Sequence, residues 1–377
     1  MTPYIIVFLF SVLCIHLAQR SGKNVVAYTV FILLAILLPS LLAGFRDSTV
    51  GTDVLTYVDN IWDDILHTNS ISDMIGKNEV NYYAAGDIGY LFLNYILSSI
   101  NRNVHIIYWG ISVFMLLFLY FTNRDNTQRI SWALSFFLFF FLYYNLSLNM
   151  MRQMLVMSIG LYCYKYVERR QWLYVAASII VMLLFHSTGI TYLLVIALYI
   201  VYHSRSSKIR FALFGVGALA LFMTFSYYDV ILIGIVNSGI LSSHYLMYEA
   251  KEGVFQTSML IIYLVFFIVF LFSYRVIKDN EKKYEIGYYA IFHFFATLLS
   301  MLSIIMYDAN RLAQYLLFIS ILLFLPRTLF LLKRNKHKYY FQLLSLTIVI
   351  SVVGWYYVNI YMGSNETYPY KSVILGV

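Results

Sequence analysis

Runs of 15 to 20 residues rich in Leu, Ile and Phe recur from one end of the chain to the other, separated by short polar breaks. As a helix, such a run is about as long as a bilayer's hydrocarbon core is thick. The pattern predicts helical segments over 3–18, 24–43, 86–100, 104–121, 130–144, 146–167, 172–185, 188–202, 209–225, 257–274, 286–306, 312–330 and 341–361. Several are short for a full crossing, notably the pair flanking His186. The widest breaks, 45–87 and 227–256, read as loops. No polar block is large enough to fold separately, so 1–377 reads as a single transmembrane domain. The first segment lacks a basic start and runs into Gln19-Arg20, which reads as a retained helix rather than a cleaved signal.

Composition agrees with this pattern. Of 377 residues, 61% are hydrophobic and 12% charged, about half the charged share of a soluble domain. The net charge of +8 does not point to nucleic acid, because the basic residues sit mostly in short breaks between apolar runs. That placement follows the positive-inside bias. Arg20 and Lys23; Lys165, Arg169 and Arg170; Arg205, Lys208 and Arg210; Arg275, Lys278, Lys282 and Lys283; and Arg327, Lys333, Arg334, Lys336 and Lys338 mark cytoplasmic loops. The later loops alternate back to Arg124 and Arg129. The first loop then conflicts in parity unless one segment does not cross. Segment 86–100, which is short and carries Asn94, Ser98 and Ser99, is the best candidate. The expected fold is therefore all-α, a polytopic helical bundle of about twelve spans with both termini outside, plus one re-entrant or interfacial helix. The loops 45–87 and 227–256 fall outside. Many of the 36 tyrosines lie near segment ends, as an interfacial aromatic belt would place them.

The unusual polar residues gather at the breaks assigned to the outer face. They are Arg46-Asp47 with Gly51-Thr52-Asp53 and Tyr57; Asn149, Arg152 and Gln153; Phe185-His186; Asn310-Arg311 with Gln314 and Tyr315; and Pro369-Tyr370-Lys371. An arginine at a membrane helix end is costly unless it meets a partner or reaches the interface. Guanidinium is also the natural partner of phosphate, with a rigid fork of donors. Arg46, Arg152 and Arg311 are candidate anion binders, and pairing with a local acid or headgroup is the plainer alternative. His186 is either a helix-end cap or a general base. Asp47 and Asp53 could be bases, or could hold Arg46. His244, Glu249 and Glu252 read as solvated loop charge. Cys14 and Cys163 lie within apolar runs and form no metal spacing. There is no phosphate-binding glycine loop and no His-Glu-x-x-His pattern, so no nucleotide, cofactor or zinc is expected. No ladder of mid-membrane acids marks a coupled transporter.

In these residues, taken in order, the chain resembles the EpsG family of Wzy-like polysaccharide polymerases: Arg-Asp-x-x-x-Gly-Thr-Asp-x-x-x-Tyr at 46–57, Asn149-x-x-Arg152-Gln153, Phe185-His186, Asn310-Arg311 with Tyr315, and Pro369-Tyr370-Lys371. The resemblance implies a GT-C-like membrane glycosyltransferase in the bacterial cytoplasmic membrane. It would join lipid-linked oligosaccharide repeat units outside the membrane, for capsule, exopolysaccharide or O-antigen, with a flippase and a chain-length regulator as partners. On that reading Arg46, Arg152 and Arg311 bind pyrophosphate, with Asn149, Gln153, Asn310 and Tyr315 around the substrate. His186 or Asp53 is then the base. An O-antigen ligase uses the same donor and remains a rival. A flippase would need a cationic cavity in mid-membrane, whereas these arginines lie at helix ends.

Overall fold

The structure is a computed structural model. It describes the chain except residues 23, 52, 53, 55–57, 59, 69, 77–86, 205, 206, 239–256, 305–308, 336 and 377. Among the described residues every regular element is helical. The elements are α1 (Thr2–Arg20), α2 (Val25–Gly44), α3 (Asn60–Leu66), α4 (Ile71–Gly76), α5 (Ile88–Ile100), α6 (His105–Asp125), α7 (Trp132–Ser147), α8 (Met151–Glu168), α9 (Trp172–Phe185), α10 (Tyr192–Tyr202), α11 (Ser207–Ser226), α12 (Tyr228–Asn237), α13 (Thr257–Val276), α14 (Asn280–Met301), α15 (Ala309–Arg334) and α16 (Lys338–Tyr361). Each of the predicted apolar segments contains a helix. The largest shift is at 286–306: α14 starts at Asn280 because the Asp279 side chain accepts the Lys282 N–H at 3.1 Å and caps the helix there. The stretches read as loops also hold short helices, α3, α4 and α12.

Among the described residues six helices are long and apolar enough to cross a membrane, and shorter apolar helices accompany them. Their outward side chains are apolar, as on a surface that faces lipid: Ile6, Leu9 and Leu13 of α1 and Leu346, Ile350 and Val353 of α16 are exposed. The protein is a polytopic helical membrane protein. At 13 residues α5 extends about 20 Å, well short of the roughly 30 Å of a hydrocarbon core.

The chain forms two compact units, 1–190 with 321–377, and 191–320, the division falling within α15. In the first unit α1, α2, α6, α7 and α8 pack side by side, and α5 lies against α6 and α9. A π-turn interrupts α7 at Phe139–Tyr144, and its aromatic side chains are buried. Phe140 stacks on Phe8, with ring centroids 5.1 Å apart. Tyr144 donates to the Pro39 carbonyl at 2.5 Å, a carbonyl inside the proline-containing helix α2. In the second unit His293 of α14 is fully buried and bridges its neighbours. Its Nδ1 lies 2.9 Å from Ser320 Oγ and its Nε2 2.9 Å from the Tyr263 carbonyl.

One buried ion pair braces the first unit. Arg327, 1% exposed, holds Glu168 through two hydrogen bonds of 2.5 and 2.9 Å and donates to Asn126 Oδ1 at 2.5 Å. Arg327 is thus a buried structural residue tying α15 to α8 and to the end of α6, rather than solvated loop charge. Removing Glu168 strands the Arg327 guanidinium in a low-dielectric site, whereas the Glu168 side chain is a quarter exposed. Glu168→Ala is expected to destabilise the detergent-solubilised protein by about 3 kcal/mol, and Arg327→Ala by less. Thermal unfolding should also show the Glu168→Leu/Arg327→Met pair recovering most of the loss. A double variant no better than the singles would contradict this account.

Candidate functional site

Two of the sequence motifs meet on a residue that belongs to neither. Asp87 closes the long polar stretch and stands at the N-terminus of α5. Its carboxylate Oδ2 accepts from Arg152 Nη1 at 2.8 Å and lies 3.1 Å from His186 Nδ1. The Asp87 side chain is 3% exposed, Arg152 15% and His186 22%, so the acid is at the bottom and the imidazole nearest the surface.

Local structure explains the meeting. Arg152 lies in the first turn of α8, where the helix dipole opposes a cation, so it needs an anion close by. Asp87 sits at a helix N-terminus, where that dipole favours a negative charge. Its side chain makes no capping bond, being turned to Arg152 and His186 instead. His186 ends α9 with an extended backbone, and a tight turn, Ser187–Thr191, follows. Gly89 allows the approach: a Cβ there would stand 2.9 Å from the Leu184 carbonyl oxygen of α9. Tyr90, one turn into α5, lies beneath the Arg152 guanidinium, 5.6 Å from its carbon to the ring centroid. With Nδ1 held as the donor to the carboxylate, Nε2 of His186 is the nitrogen able to accept a proton.

Arg46 approaches the same motif from the other side. It is 1% exposed, and its Nη2 lies 3.3 Å from the sulfur of Met151, the residue before Arg152. Its guanidinium stands over the Tyr108 ring at 4.7 Å. Among the described residues Nε and Nη1 have no hydrogen-bond partner. Burial draws its pKa below the ordinary arginine value, opposed by Tyr108 and the other tyrosines around it.

Asp47 is turned to the terminal residues rather than to Arg46. Its Oδ1 accepts the Val373 N–H at 3.0 Å, and its own N–H donates to the Lys371 carbonyl at 3.0 Å. The terminal motif thereby acquires a structural role. Tyr370 donates to the Leu42 carbonyl at 2.9 Å, Ser372 to the Phe45 carbonyl at 2.5 Å, and the Gly51 N–H to the Glu366 carbonyl at 3.1 Å. Burial pushes the Tyr370 hydroxyl up to about 12, keeping it a donor. Asn149 donates to the Asn365 carbonyl at 2.8 Å. The last residues thus bind the Arg46 loop to the start of the Arg152 motif. Gln153 is buried beside Arg152.

Asn310, Arg311 and Tyr315 belong to the second unit. Asn310 Oδ1 accepts from Ser300 at 2.9 Å and from Gln314 at 3.2 Å, and Gln314 also donates to Tyr263 Oη at 3.2 Å. Asn310 and Gln314 therefore knit α13, α14 and α15 together, Tyr315 is buried, and Arg311 is half-buried. Asp53 lies outside the described residues, as do Thr52, Tyr57, His244, Glu249 and Glu252. Among the described residues no three His, Cys, Asp or Glu side chains converge as metal ligands. Asp87 is the residue that sequence reading missed. Its one signal was position, an acid at the junction of a polar stretch and an apolar helix.

These features define a polytopic helical membrane protein that carries a buried carboxylate shared by an arginine and a histidine at the ends of its helices. The chain belongs to the EpsG family, whose model matches residues 28–372, nearly its whole length, and whose members are Wzy-like polysaccharide polymerases of membranes. No curated protein and no solved structure matches it.

The close packing at Gly89 yields a direct expectation. Gly89→Val should leave the protein folded and inserted but push α5 off α9 and separate Asp87 from His186, lowering polymer synthesis at least tenfold. Gly354→Ala, at a helical glycine of α16 with open space around it, controls for loss of glycine as such. Normal polymer from Gly89→Val would show that the contact is dispensable.

Proposed function

We propose that this protein joins oligosaccharide repeat units carried on undecaprenyl pyrophosphate, at the outer face of the bacterial cytoplasmic membrane, by inverting glycosyl transfer. The observation that carries the reading is the pair of contacts on one buried oxygen of Asp87, from Arg152 and from His186. A sugar on a pyrophosphate already has a good leaving group, so the site must hold the phosphates and take up their growing charge. Positioned guanidinium groups do this electrostatically, in the role a metal ion has elsewhere. Arg152 is assigned to that task, with Arg46 in support.

In this scheme the acceptor sugar's hydroxyl oxygen attacks the anomeric carbon of the donor. The bond from that carbon to the phosphate oxygen breaks, and the pyrophosphate leaves on its lipid. The hydroxyl proton passes to His186 Nε2. Asp87 is a positioning residue: it fixes the imidazole tautomer and the direction of the guanidinium. His186 is preferred to Asp53 as the base because its orienting partner is identified. The outward orientation rests on the distribution of Lys and Arg among the loops. Donor and acceptor both reach the site through the lipid, supplied by a flippase.

Arg152→Ala should lower polymer formation from lipid-linked repeat units by roughly 10²- to 10³-fold, the range for losing one donor to a developing oxyanion. Arg152→Lys should recover only part, because an ammonium cannot reproduce the planar fork. Full-length polymer from Arg152→Ala at normal protein level would overturn the assignment.

A further inference from the structure

A second feature of α5 lies at its far end. A cavity of about 400 Å³ opens between α3 and the C-terminal turn of α5. Thr68, Tyr95, Ser98, Ser99, Asn101 and Arg102 give it a largely polar wall. The three hydroxyl groups donate their protons to nearby carbonyls: Thr68 to Ile65 at 2.8 Å, and Ser98 and Ser99 to Tyr95 at 2.7 and 3.0 Å. Their oxygens are thus left as acceptors. Asn101 and Arg102 add donors, and Tyr95 adds an aromatic face. Acceptors, donors and an aromatic face together suit a polyhydroxylated ring, and the cavity is of ligand-binding size.

The same helix links this cavity to the Asp87 cluster. Asp87, Tyr90, Asn94, Ser98 and Asn101 recur at intervals of three or four residues and so share one face of α5. Another stripe, Ile88, Phe92, Ile96 and Ile100, is apolar and exposed, as a helix bordering lipid would be. From the rise of a helix, the two ends of α5 are about 20 Å apart. The cluster and the cavity are thus separated by the length of one helix.

We propose that the cavity between α3 and the end of α5 is a saccharide subsite that holds the growing chain at a distance from the Asp87 cluster. The proposal rests on the polymerase reading above. Bound there, a chain stays on the enzyme between additions, and Arg102 gives preference to sugars bearing a carboxylate. Losing the subsite shortens the product without slowing the joining of the first two units. The Asp87 cluster has the opposite signature, since damage to it stops joining altogether.

The test uses the full-length protein in lipid vesicles with lipid-linked repeat units. Arg102→Ala removes the cation and Ser99→Phe fills the cavity; both side chains are exposed, so neither change threatens the fold. Each variant should join two units within about twofold of the unmodified rate, while mean product length falls several-fold. Separately, saturation-transfer NMR with oligosaccharides released from the organism's own polymer by mild acid should show ring contacts that Ser99→Phe abolishes. Unchanged product lengths in both variants would overturn the subsite. If the unmodified protein joins no units, the polymerase reading fails and the binding measurement alone decides: retained contacts uphold a saccharide site, and absent contacts reject it. Contacts seen with phospholipid headgroups but not with saccharide also reject it.

Discussion

A charge carried into an apolar protein interior must find a partner there, and this molecule is organised by how it meets that demand. Arg327 and Glu168 meet it with a bidentate pair that also takes in Asn126, and the result is a brace between helices. Arg152 meets it with Asp87, but that carboxylate is shared with His186, and the group reaches toward the surface through the imidazole. Arg46 has neither kind of partner among the described residues, only a thioether and an aromatic ring. The first solution is closed and structural. The second keeps one nitrogen, His186 Nε2, free of the carboxylate. The third leaves two guanidinium nitrogens, Nε and Nη1, without a partner among the described residues beside the Arg152 motif.

The backbone is arranged to bring these groups within reach. Asp87, Arg152 and His186 come from the ends of three helices, which need only the short approach at Gly89 to meet. The terminal residues hold Phe45, Asp47 and Gly51 on one side and Asn149 on the other, so the loop bearing Arg46 is tied to the motif bearing Arg152. This accounts for the Pro369-Tyr370-Lys371 motif without giving it a chemical step.

Helix positions were legible because long apolar runs leave little alternative to a helix when the solvent is lipid. Arg152 and His186 were legible as polar residues in costly places. Asp87 was not, because its partners lie 65 and 99 residues away and a carboxylate at the end of an acidic stretch looks like solvated charge. Asp47 misled for the converse reason: adjacency to Arg46 suggested a pair, while the backbone turned it to Val373. Arg327 was counted with the loop bases because it stands close to Lys333 and Arg334 in the chain, yet it is buried. Asn310 and Gln314 stood out as members of one polar motif, but their joint contact with Tyr263 and Ser300 depends on packing that no local pattern encodes.

The central claim is that one carboxylate, Asp87, sets both the guanidinium and the imidazole. The most direct test is the rate at which purified Asp87→Asn protein joins lipid-linked repeat units. Asparagine keeps the size but removes the charge that holds Arg152 and the acceptor that fixes the His186 tautomer. The account predicts a loss of about 10²- to 10⁴-fold in the joining rate, the range attributed to a general base, measured at a temperature where the variant is still folded. A joining rate within a few-fold of the unmodified protein would contradict it.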